Sequence, residues 1–322
     1  MKFSTDVIRR REALTLLIGT MCGMRGAAWA QAWPTRPMRL VVPFAAGGLT
    51  DVLARSIGES LGQLLGQPVT VDNRPGAAGH VAAELVARGP ADGYQIAMLS
   101  AGHAGGIAYA TETVRYDLLR DFTAIGMLGF SPTLLIARKA LNVRNFPELV
   151  ALARARPGQI SFAAVQNYTV EYLQSMAGLE FNMVLYKGAS QATSDMLGER
   201  VDLMLGTVSD MLQLMQSGKF NAVALNSPYR LPQLPDVAPV ADHVPGYRAG
   251  QWYGLFVPSA TPQSVVTRLR AELAKAVKQP AYTSALAKLS VLPPDRDVDA
   301  FSAEVAATLE SFQRARRLGK PS

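Results

Sequence analysis

The sequence predicts an α/β protein of two lobes, each a mainly parallel sheet flanked by helices, with a ligand cleft between them. Three observations predict it. From Trp33 onward short β-branched runs alternate with amphipathic helical stretches, the first strand runs through a glycine turn straight into a helix, and the middle of the chain repeats the alternation. With 322 residues, 49% hydrophobic and 18% charged, the chain has apolar surface enough for two modest cores.

The first strand is Arg39-Leu40-Val41-Val42-Pro43, which enters the turn Phe44-Ala45-Ala46-Gly47-Gly48. Val52, Leu53, Ile57, Leu61, Leu64 and Leu65 then recur at helical spacing, and Gly66-Gln67-Pro68 stops that helix before the strand Val69-Thr70-Val71. Val81, Leu85 and Val86 mark a second helix, and Tyr94 to Leu99 a buried strand. In the middle, Thr133 to Ala137 and Ile160 to Ala163 read as strands around a helix from Pro147 to Arg156. Val201 to Leu205 and Ala222 to Leu225 read as two more, separated by a helix around Met211 to Met215. Pro228 to Pro245 is a proline-rich connection, after which Trp252 to Val257 returns as a strand. Helices through Val265 to Val277 and Phe301 to Phe312 close the chain. The predicted division is residues 31–128 plus 251–322 for lobe 1 and residues 129–250 for lobe 2.

Residues 1–30 read as a signal peptide: Lys2 and Arg9-Arg10-Arg11, an apolar stretch from Ala13 to Met21, and the small-residue end Ala28-Trp29-Ala30. The stretch is shorter than the roughly 20 residues that cross a bilayer. The doubled arginine is compatible with twin-arginine export, and Met21 is a poor match to the small residue a lipid-attachment site at Cys22 wants. Cleavage after Ala30 removes the single cysteine, which excludes disulfide and thiol chemistry from the mature chain. It also lowers the net charge from +7 to +4, since the segment carries five basic residues against two acidic ones. With no basic run beyond Arg316-Arg317, nucleic-acid binding is not expected.

The glycine turn is the leading candidate for chemistry. A helix N-terminus offers unpaired amides and a partial positive charge, so it can hold a carboxylate without an arginine. The competing reading is that Thr50 caps the helix and Asp51 complements its dipole. His80, His103 and His243 have no metal-ligand spacing, so neither a metal nor another cofactor is expected. The chain has no Gly-x-Ser-x-Gly elbow, phosphate loop or dinucleotide fingerprint, which argues against an enzyme. Tyr168, Tyr172, Trp252 and Tyr253 are read as core, not as stacking platforms.

Read together, Trp33-Pro34-Thr35-Arg36-Pro37, Val41-Val42-Pro43-Phe44, Gly47-Gly48-x-Thr50-Asp51, Asn73-Arg74-Pro75-Gly76-Ala77-Ala78-Gly79, Asp92-Gly93-Tyr94, Tyr186-Lys187-Gly188 and Leu234-Pro235-Asp236-Val237 carry a resemblance. From Trp33 to about Phe312 the chain resembles the substrate-binding proteins of tripartite tricarboxylate transporters, the Bug family. The resemblance implies a type II periplasmic binding protein: a monomeric, non-catalytic receptor that closes on a small carboxylate and hands it to membrane permease subunits. By position, lobe 1 would contribute Phe44, Gly47, Gly48, Leu49, Thr50 and Asp51, with Ser100 and His103 nearby. Lobe 2 would contribute Ala164, Val165, Asn167, Thr169, Tyr186 and Gly188. Three departures stand out: Leu49 where the family usually has Ser or Thr, the bulky Ala164 to Val170 segment with residues missing before Ser175, and Gly206 where an aspartate commonly follows the strand. They predict a less polar, reshaped cleft. The alternatives are a ligand sensor that docks on a membrane receptor kinase, and an enzyme on the same fold.

Overall fold

A computed structural model describes residues 33–110, 113–186 and 188–318; the expected export segment at residues 1–30 and Lys187 lie outside them. The unit beginning at Pro37 carries the fold. Its first half runs β1 (Met38–Val42), α1 (Leu49–Leu65), β2 (Val69–Asn73), α2 (His80–Ala87), β3 (Gln95–Ser100), α3 (Ala101–Tyr109), β4 (Phe122–Ser131), β5 (Thr133–Arg138), α4 (Phe146–Ala155) and β6 (Ser161–Ala164). It continues α5 (Asn167–Ala177), β7 (Asn182–Leu185), α6 (Ala189–Leu197), β8 (Leu203–Thr207), α7 (Val208–Met215), β9 (Phe220–Asn226), β10 (Gln251–Pro258), α8 (Gln263–Ala276), α9 (Pro280–Lys288) and α10 (Val298–Leu318).

Two five-stranded sheets result, ordered β2-β1-β3-β10-β4 and β7-β6-β8-β5-β9. In the first, β1 is parallel to β2 and β3, and β10 runs against both β3 and β4. In the second, β6 is parallel to β7 and β8, and β5 runs against both β8 and β9. The reversed strand of each sheet is the one that arrives from the other lobe. The exchange into the second sheet is made at Pro132, so the expected boundary between residues 128 and 129 falls inside β4.

Helix α1 buries Leu53, Ile57, Leu61 and Leu65, and ends at Gly66, whose φ of 72° suits glycine and lets its N–H close on the Gly62 carbonyl. In α2 Val81 and Leu85 stand exposed, and Ala82, Ala83 and Val86 are buried. Small side chains let that helix lie close to the strands. The sequence reading missed β4, the longest strand, because Gly126 and Gly129 break its apolar run. Those glycines are packing devices, since a Cβ on Gly129 would lie 2.7 Å from Val291. The segment from Ala164 to Val170 is the end of β6, a two-residue bend and the first residues of α5.

An aromatic seam joins the two lobes. Tyr168 and Tyr172 from α5 meet Phe312 of α10 with ring centroids 5.6 and 4.6 Å apart. Tyr172 stacks on Tyr247 at 4.8 Å, and Tyr109 of α3 lies 6.5 Å from Tyr168. The Tyr172 hydroxyl accepts the Arg248 amide at 2.7 Å and sits 2.7 Å from Ser311 Oγ. The Tyr247 hydroxyl donates to Asn226. Apolar ring faces are thus buried while the hydroxyls of Tyr168, Tyr172 and Tyr247 are bonded; the buried Tyr109 hydroxyl has no hydrogen-bond partner.

Ser100 and His103, expected as cleft residues, are found in the interior. His103 is fully buried; its Nδ1 accepts the Ser100 amide at 3.1 Å, with Ser100 Oγ at 3.3 Å, and its Nε2 faces Gly79. The pair closes the first turn of α3 and offers nothing to the cleft. Burial, with His80 nearby, pushes the imidazole from about 6.5 down to about 4, so it is neutral at pH 7.

Two outcomes follow. Phe312→Ala should cost about 3–5 kcal/mol in urea denaturation, because a large ring is removed from the seam that both lobes share. For His103, the unfolded chain takes up a proton that the folded chain refuses. Its contribution is therefore present above the unfolded value and is lost as pH falls from about 6.5 to about 4. Melting temperatures measured across that window should fall less steeply for His103→Gln than for the wild type, an effect of about 3 kcal/mol at most.

Candidate functional site

Two cavities open where the lobes meet. The larger, about 670 Å³, has Ala77, Ala78, His80, Val81, Glu84 and residues 113–116 on the lobe 1 side and Val165, Gln166, Asn167, Tyr168, Leu185 and Tyr186 on the lobe 2 side. The smaller, about 250 Å³, lies toward the crossings, among Thr133, Ala164, Thr169, Gly206, Asn226 and Gln251. Tyr168, with Val165 and Gln166, belongs to the wall of both.

Its ring is held against α3 by the absence of side chains there. A Cβ on Gly105 would lie 2.6 Å from the ring, and one on Gly102 would lie 3.3 Å from the hydroxyl. Polar bonds continue the contact: the Gly102 amide donates to Gln251 Oε1 at 3.1 Å, Gln251 Nε2 donates to the Tyr168 hydroxyl at 3.3 Å, and that hydroxyl donates to Gln166 Oε1 at 2.9 Å. Burial pushes the phenol up to about 12, so it stays a neutral donor.

The loop from Phe44 to Asp51 lines neither cavity. Gly48 is the N-cap of α1 and supplies no side-chain bond, so Thr50 does not cap the helix; it is buried inside the first turn. Gly47 takes φ of 86°, which favours glycine. Asp51 braces the loop: its Oδ2 accepts the Gly47 amide and Arg55 Nε, both at 2.9 Å, while its buried Oδ1 has no partner. Arg55, followed by the Gly47 amide and Asn73, holds the Asp51 carboxyl below the usual carboxylate range. Asn73 ties the same loop down by donating to the Phe44 carbonyl at 3.0 Å. Gly47 and Gly48 are exposed and Leu49 is half-buried at the first helical position.

On lobe 2, Val165, Asn167 and Tyr186 reach the larger cavity and Ala164, Val165 and Thr169 the smaller, whereas Gly188 lines neither. Several polar groups there are already engaged. Asn167 donates to Glu171 at 3.0 Å, Thr169 to the Gln166 carbonyl at 2.8 Å and Tyr186 to Asp195 at 2.9 Å. A Cβ on Gly206 would lie 2.5 Å from Met211 Cε, the movable end of that side chain. Sequence reasoning missed Arg115, Tyr116 and His80 as wall residues. His80 Nδ1 lies 2.8 Å from the Tyr116 hydroxyl, a pairing across 36 positions that no local pattern announces. Among the described residues no group of three His, Cys, Asp or Glu is placed to hold a metal ion, and no helix is long and apolar enough to cross a membrane.

Comparison with known proteins places these features. The family described as "Tripartite tricarboxylate transporter family receptor" matches residues 53–313. The "UPF0065 protein in tcbD-tcbE intergenic region" of Pseudomonas sp. (strain P51) is 34% identical over 293 residues, 89% of this chain and 87% of that protein. Rpa4515 of R. palustris, solved with adipate, superposes with a TM-score of 0.72 at 30% identity, covering 89% of this chain and 98% of that one. The periplasmic binding protein BugD gives a TM-score of 0.70 at 30% identity, covering 89% of this chain and 98% of its own. With a match that spans most of its length and the two-lobed fold of a periplasmic binding protein, the chain belongs to the tripartite tricarboxylate transporter receptor family.

Proposed function

We propose that the chain is an exported receptor that captures a small carboxylate in its interlobe cleft and delivers it to the membrane subunits of a tripartite tricarboxylate-type permease. Residues 1–30 would direct it to the periplasm, where it works as a monomer without catalysis. Family membership supports the role, and a relative solved with adipate supports the ligand class.

The observation in this chain that carries the ligand class is the uncapped start of α1. Gly48 leaves the first-turn amides without a side-chain partner, and Arg55 neutralises the one carboxylate beside them. An anion at that end meets free N–H groups and a favourable dipole, without the repulsion Asp51 would otherwise exert. Gly47, Gly48 and Thr50 are proposed as the anchor, with Leu49 and Phe44 turned to the rest of the ligand. Closure of lobe 2 would bring Ala164, Val165, Asn167, Thr169, Tyr186 and Gly188 to its other side.

A thermal-shift screen checks the class. A bound carboxylate at a hundredfold excess over its Kd should stabilise the protein by about 2.7 kcal/mol and raise Tm by several degrees; stabilisation by neutral solutes and by no acid would refute the reading. Leu49 should make the site favour acids with an apolar portion over citrate. In comparative calorimetry Leu49→Ser should gain affinity for citrate, and wild-type binding equal to or tighter than the variant's would remove Leu49 from the site.

A further inference from the structure

Three of the large apolar side chains left exposed in this protein, Val81 (47%), Val165 (45%) and Leu185 (60%), line the same cavity of about 670 Å³. They come from separate places, Val81 from α2 in lobe 1 and Val165 and Leu185 from just beyond β6 and the end of β7 in lobe 2. Exposed aliphatic groups scattered singly are ordinary, but convergence from two lobes on one concavity marks a place where an apolar body displaces water. The volume lies in the range of small-molecule sites.

The charge on the wall is as selective. Among the described residues its two fully charged side chains are Glu84 and Arg115. Glu84 is paired with Arg88 at 3.1 Å, whereas Arg115 is exposed and has no ionic partner among the described residues. His80, on the same wall, is held below its usual range by burial, and its Nδ1 lies 2.8 Å from the Tyr116 hydroxyl. Among the described residues Arg115 is thus the full charge on this wall that lacks an ionic partner, and a guanidinium suits a carboxylate in both charge and geometry. Tyr168, with Val165 and Gln166, borders both this cavity and the smaller one.

We propose that this cavity takes an acid with one carboxylate on an apolar aryl or medium-chain alkyl body, its carboxylate paired with Arg115 and its body against Val81, Val165 and Leu185. The proposal rests on the carboxylate reading of the cleft, and adds an anchor separate from the α1 loop.

Calorimetry with benzoate, hexanoate, malate and the neutral benzamide tests it on the wild type, Arg115→Gln and Leu185→Asn. The wild type should bind benzoate or hexanoate roughly tenfold or more tightly than malate or benzamide. Arg115→Gln should weaken the acid by about tenfold, with benzamide binding and Tm unchanged, and Leu185→Asn should weaken it several-fold. Tightest binding of malate, or full affinity in Arg115→Gln, overturns the proposal. If malate or adipate binds the wild type and Arg115→Gln alike, the α1 loop reading stands and Arg115 falls. If no carboxylate binds the wild type, both fall.

Discussion

The Tyr168 ring against Gly102 and Gly105 of α3 is the contact on which the cleft depends. It presses a lobe 2 side chain onto a lobe 1 helix, and Phe312 and Tyr172 extend the same cluster into α10 and the second core. Each sheet would pack its own helices without that cluster, but the spacing of the walls between them would be undetermined. Dispersion contacts of this kind are weak singly and strong together, and tight packing makes them specific in position. The bonds through Gln251 add direction, because they join α3, the returning strand β10 and α5 in one chain.

Much of the fold was legible in the sequence, for physical reasons that can be named. Leu53, Ile57, Leu61 and Leu65 lie on one helical face and Gly66 takes the left-handed turn, so α1 could be read from spacing and a stop signal. The apolar run through Leu40, Val41 and Val42 fits a strand covered on both faces. Legibility ended where distant residues set the local choice. Gly126 and Gly129 looked like breaks, yet they make room for Leu273 and Val291, more than a hundred positions away. In α2, Ala82 and Ala83 lie buried with Val86 while the larger Val81 and Leu85 stay exposed.

The site was legible in its backbone and less so in its side chains. Glycines at 47 and 48 announced the turn at the head of α1, and that turn is there. What each polar group does depends on neighbours the sequence does not display. Ser100 bonds to His103 Nδ1, Asp51 is turned back onto Gly47, and Asn167, Thr169 and Tyr186 are bonded within lobe 2. A cleft whose hydroxyls and amides are engaged at home presents aliphatic and aromatic surface by default. At Gly206 the Met211 side chain lies beside the backbone, a neighbour the sequence does not display either.

Helix α3 has glycine at three of its nine positions, Gly102, Gly105 and Gly106. Each lowers intrinsic helix stability by about 1 kcal/mol relative to alanine, so so short a segment has little reason to be helical alone. Two of the vacancies are filled from outside, by Tyr168 at Gly105 and by His80 at Gly106. The helix thus borrows its order from its neighbours, one of which belongs to the opposite lobe. Separation of the lobes would withdraw the tyrosine and leave α3 closer to its own coil equilibrium, which couples the opening of the cleft to the melting of one of its supports.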